Sequence, residues 1–127
     1  VSTEAHLAAI KALLTAAGAK PYDIGELAAL TTLPTSYTEV HVMPRLPGEE
    51  RLGVWSGTQS YRVVTRAVAR THQAATVLRD RAADALQWTR FEVDGGTAGP
   101  ITRELADDPI GDDEDWFSGT SSWTYST

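Results

Sequence analysis

The sequence predicts an α+β fold: a mostly antiparallel sheet with two helices packed on one face. Three observations predict it. Apolar residues recur at helical spacing in two segments, near residues 2–17 and 72–87. Several shorter segments alternate apolar and polar residues as strands do. The 127 residues have room for one core and not for two, so residues 1–127 form a single domain.

The elements follow in order. Ser2 or Thr3 can cap the first helix, and Glu4 suits its first turn. Leu7, Ile10, Leu14 and Ala17 form its apolar stripe, with Leu13 beside them. Gly18 fits the positive-φ position after a helix, and Pro21 confirms the stop. Beyond it, Tyr22 to Ile24 reads as a short strand, Glu26 to Leu30 as a helical turn and Thr31 to Ser36 as a loop. In residues 37–43, Thr38, Val40 and Val42 share one strand face, and Tyr37, Glu39, His41 and Met43 share the other. Residues 46–57 (LPGEERLGVWSG) are turn-rich yet contain Leu52, Val54 and Trp55, and read as a long hairpin arm.

Residues 58–69 alternate strongly as a strand. Thr71 then caps a helix over about 72–87 that buries Leu78, Ala82, Ala85 and Leu86. Residues 89–93 and 100–105 read as strands, with a turn at Asp94-Gly95-Gly96 between them. A last strand within residues 116–126 places Trp123 and Tyr125 on one face.

Composition narrows the function. Apolar residues make up 42% of the chain, many of them alanine, which predicts a thin core of the kind that oligomerisation supplements. The absence of cysteine excludes disulfides, thiolate metal sites and a cysteine nucleophile. No apolar run is long enough for a membrane span. The N-terminal segment lacks a basic-then-apolar signal pattern. The protein is therefore expected to stay where it is made or to leave inside an assembly. Arginine outnumbers lysine nine to two, a sign of a GC-rich genome.

The net charge of −6 is unevenly placed: Glu104 to Asp115 holds seven acids and no base. The rest carries ten acids against eleven bases, so the body is nearly neutral. That argues against a general nucleic-acid-binding surface, which needs a basic patch.

No catalytic, metal or cofactor-binding residue stands out. His6, His41 and His72 share no metal-ligand spacing, and His6 and His72 are expected to be exposed near helix N-termini. The acidic run lacks the EF-hand pattern and reads as a solvated loop or partner-facing patch. No G-x-S-x-G elbow occurs, and Gly95-Gly96-Thr97 lacks the lysine of a phosphate loop. The expectation is a protein that is not an enzyme.

The tryptophans divide. Trp88 closes the second helix and is expected in the core, and Trp123 in the core or on the sheet surface. Trp55 lies among glycines and charges, and Trp116-Phe117 follows four acids. A monomer core explains neither site, and tryptophan is enriched at interface hot spots.

The order of these features resembles the tail terminator (tail completion) proteins of long-tailed bacteriophages, or siphoviruses, especially those infecting actinobacteria. An amphipathic helix ends in glycine, and a strand leads into the arm HVMPRLPGEERLGVWSG. The best-matched stretch runs from Tyr61 to Leu86, where a strand passes through Arg70-Thr71 into a helix carrying Ala74, Ala75, Arg79 and Asp80. A second runs from Gly99-Pro100-Ile101 to Asp115, before the aromatic closing strand. Residues 25–34 depart from the family's usual shorter connection.

The resemblance implies a structural virion protein at the head-proximal end of the tail, assembled in the host cytoplasm. It implies a homo-oligomer, a hexameric ring that caps the major tail tube protein and stops tube polymerisation. The ring would also join the tail to the head-completion or stopper protein, and DNA would pass through its lumen without sequence-specific binding. No cofactor and no membrane are implied.

Rings need two different surfaces that meet. Arg45, Leu52 and Trp55 in and beside the arm, with Trp116 and Phe117, are the candidates. Asp112, Asp113, Glu114 and Asp115 are candidates for a lumen wall that repels phosphates. Two alternatives stay open: another head-tail connector, and a small dimeric α+β-barrel enzyme acting on an apolar ligand.

Overall fold

The computed structural model describes residues 3–45, 59–93, 95–111 and 115–127. Its centre is two long antiparallel ladders. Strand β3 (Ser60–Ala69) pairs on one side with β2 (Ser36–Pro44), in unbroken register from Ser36↔Ala69 to Pro44↔Tyr61. On the other side it pairs with β8 (Phe117–Ser126), from Ser60↔Ser126 to Ala69↔Phe117. The short β1 (Pro21–Tyr22) adds to β2 in parallel. Strands β6 (Thr102–Ala106) and β7 (Ile110–Gly111) both pair with β8, and β6 shifts register between Arg103 and Leu105. The sheet order is β1-β2-β3-β8-β6, an open sheet rather than a closed barrel. A separate hairpin joins β4 (Phe91–Val93) to β5 (Gly96–Ala98).

Helices α1 (Thr3–Ala16) and α3 (His72–Leu86) cover one face of the main sheet. Strand alternation aims Val40, Val63, Trp123 and Tyr125 at that face, where they pack with Ile10, Leu14, Ala82 and Leu86. Trp123 is fully buried, and its indole N–H donates to Thr65 Oγ1 at 3.1 Å, so the large ring enters the core without stranding its donor. Thr38 is also fully buried and donates its hydroxyl to the Ala19 carbonyl at 2.6 Å.

The α+β class and the two face-covering helices are as expected. A third helix, α2 (Ile24–Ala29), takes the place of the expected helical turn. Asp23 and Glu26 form a reciprocal capping box at its start, and Lys11 of α1 pairs with both carboxylates. Thr71 caps α3 as predicted, its Oγ1 accepting from Ala74 N–H at 3.1 Å. Strands β5 and β7 were not legible in the pattern, being three and two residues long. The arm at 46–57, with Leu52 and Trp55, lies outside the described residues.

Two expectations fail for identifiable reasons. His6 is fully buried, not exposed, because α1 turns His6, Ile10 and Leu14 inward at four-residue spacing. Its Nδ1 lies 2.7 Å from the Tyr125 hydroxyl, and its ring stacks on Tyr61 at 4.0 Å. Trp88 is 68% exposed, not core. Helix α3 ends at Leu86, and Trp88 takes φ 64°, a left-handed backbone that swings its side chain away from the helix face. The bend is held by Trp88 N–H donating to the Ile101 carbonyl at 2.7 Å. Close by, Gly99 is required by its position: at φ 108°, an added Cβ would lie 2.6 Å from the Thr89 carbonyl oxygen.

Candidate assembly surfaces

Alternation along the strands makes the second sheet face as well as the first. Away from α1 and α3 it presents Glu39 and His41 of β2, Arg62 and Arg66 of β3, and Ser118, Thr120, Ser122 and Thr124 of β8. Glu39 lies 2.9 Å from His41 Nε2 and 3.5 Å from Arg66, and Arg62 reaches over β8 to Glu104 at 3.6 Å. These are surface pairs in water, each worth about 0–1 kcal/mol. They set charge placement more than stability.

One end of this face is aromatic. Tyr22, Tyr37 and Trp116 follow one another edge to face, with ring centroids 6.2 and 6.4 Å apart. The Arg70 guanidinium lies over the Trp116 ring at 3.9 Å, a cation–π contact. Phe117, the next residue, is in register with Ala69 on the helix-covered side, where it meets His72 at 6.0 Å. Trp116 and Phe117 therefore do not form one patch. Sequence reasoning found no monomer partner for either ring, and the chain supplies one for each.

The other nominated residues are scattered. Arg45 follows β2, is half-buried, and donates its backbone N–H to the Ser60 carbonyl at 2.9 Å. It lines a groove of about 210 Å3 with Pro100 and Tyr125. Asp115 is exposed at φ 63°, at the turn into β8. Asp112, Asp113 and Glu114 lie outside the described residues, as do Leu52 and Trp55. Among the described residues no three metal-ligating side chains converge, and no helix is long and apolar enough to cross a membrane.

Hydropathy reasoning missed the exposed apolar side chains at the sheet's two edges. Leu105 on β6 and Ile110 on β7 are 56% and 71% exposed. At the opposite edge the β1–β2 connection exposes Ile24, Leu30 and Leu33, and Val77 of α3 is 40% exposed. The alternation of β6 contained a signal: the neighbours of Leu105 at strand spacing, Arg103 and Asp107, are both charged.

No protein-family model matches the chain, and no curated protein sequence matches it. The fold is similar to that of a chain in the virion of a native gene transfer agent particle, with a TM-score of 0.67 and 14% identity. The alignment covers 94% of this chain and 91% of that one, so the two share the fold over nearly their whole length.

Proposed function

We propose that this chain is a structural virion protein that forms a ring, caps the tail tube, stops its polymerisation and joins the tail to the head-completion proteins. The observation that carries this is the near full-length fold likeness to a chain of a gene transfer agent virion. The order of sequence features, which resembles tail terminators, supports the same position. In this role the chain works through surfaces, as a homo-oligomer placed between tube and head. Arg45, Trp116 and Phe117, with Leu52 and Trp55 of the arm, are proposed interface residues. Asp112, Asp113, Glu114 and Asp115 are proposed to face the lumen, where negative charge keeps passing DNA from adhering.

Deletion of the gene tests the role. A terminator leaves tail tubes that overrun their normal length and carry no heads. A stopper or other connector leaves tubes of normal length detached from full heads. Immunogold labelling of an epitope-tagged chain should mark a single head-proximal site on each particle. Label along the whole tube, or none on the particle, overturns the proposal.

A further inference from the structure

Resting on the ring-forming role, we propose that copies join head to tail, the acidic β6–β7 edge of one copy seating in a basic groove beside α3 of the next. The groove has a volume of about 320 Å3 and lies between α3 and the β1–β2 edge. Its lining includes Lys20, Ser36, Thr71, Val77, Leu78 and Arg81, and no carboxylate among the described residues. Lys20 Nζ donates to Ser36 Oγ at 3.0 Å, and Arg81 donates to the Gly18 carbonyl at 3.2 Å. Both cations are thus held in place by neutral oxygens, and neither pairs with a carboxylate among the described residues. Thr71 is the N-cap of α3, so the positive end of that helix adds to the same field. Val77 gives the groove an exposed apolar wall.

The opposite edge carries the complement. Glu104, Asp107 and Asp108 are exposed there, Glu104 beside Arg62 of β3 at 3.6 Å, and Ile110 projects at 71% exposure. The segment is held in shape. Asp107 N–H donates to the Thr120 carbonyl at 2.9 Å, and Asp108 accepts from Arg79 of its own α3 at 2.7 Å. An apolar anchor flanked by acids thus faces outward on a fixed backbone.

The two surfaces are built from different elements: the groove from α3 with Lys20 and Ser36, the edge from β6 and β7 at the far end of the sheet order. The cations of the groove, Lys20 and Arg81, disfavour its pairing with a second copy of itself. Contact between two different surfaces is heterologous, and such contacts propagate until rotation closes a ring.

The natural absence of cysteine makes a clean test. Val77→Cys and Ile110→Cys are introduced together and the purified protein is oxidised. Within one chain the two positions lie on opposite sides of the sheet: Ile110 is in register with Ser118 on the uncovered face, and Val77 is on a covering helix. A disulfide, which needs Cα atoms within about 7 Å, must then form between copies. The expected product is a ladder of dimers, trimers and higher species, while each single-cysteine variant stops at the dimer. Adding Lys20→Glu and Arg81→Glu should abolish the ladder while circular dichroism shows the fold retained.

Monomers alone, dimers alone, or a ladder indifferent to the charge reversal overturns the contact. If the chain occupies the head-proximal site in particles but the double variant gives no ladder there, the contact fails and the virion role stands. A ladder from a protein absent from particles sinks the virion role and leaves the contact intact.

Discussion

The two faces of the main sheet come from the same strands and are held by different forces. On the helix-covered face, Val40, Val63 and Trp123 are almost fully buried with Ile10, Leu14 and Leu86. Apolar burial of this kind contributes about 25 cal/mol per Å2. On the other face, Arg66, Arg62, Glu39 and Glu104 meet in water at 3.5–3.6 Å, beside the serines and threonines of β8. Stability therefore resides on the covered face. The uncovered face and the edges are left to carry charge and exposed apolar side chains, which matter little to the fold.

Substitutions can break or sharpen that contrast. The largest effect is expected at Trp123→Ala, which removes a fully buried ring and strands Thr65; urea denaturation should show a loss of about 3–5 kcal/mol. Leu78→Ala on α3 should cost about 2–5 kcal/mol. A negligible change at either position would mean that the covered face is not the source of stability.

A further effect appears in alkali. Burial pushes the Tyr125 phenol well above its ordinary range, and burial raises Tyr37 as well. The unfolded chain releases these protons near pH ~10 and the folded chain later. Their contribution is thus complete below pH ~10 and falls as pH rises beyond it. Denaturation midpoints measured between pH ~9 and ~11 should decline, and Tyr125→Phe should flatten the decline. The smallest effect is expected at Arg66→Ala, within about 1 kcal/mol, because its pair with Glu39 is at the surface. A larger loss there would erase the distinction between the faces.

The strands were legible because alternation in residues 37–43 and 58–69 is a direct imprint of a half-covered sheet. The cap at Thr71 was equally plain. Trp88 and His6 misled because hydropathy puts indole inside and imidazole outside. What decides each is tertiary: a left-handed backbone at Trp88, and for His6 a tyrosine hydroxyl 119 positions away. The candidate surfaces were only partly legible. The acidic segment was visible as composition, but the basic groove beside α3 is assembled from residues as far apart as Lys20 and Arg81. No local pattern could join them.

The contact between His6 and Tyr125 has a bearing on how the protein is made. The first helix sets His6 against Tyr125 of β8, the last strand in chain order, and β8 also pairs with β3, β6 and β7. Topologies dominated by such distant pairings fold slowly, since long loops must close before any contact rewards them. A chain still emerging from the ribosome has no β8, hence neither the finished core nor the β6–β7 edge. Losing β8 therefore takes away the finished core and the support of β6 and β7 together.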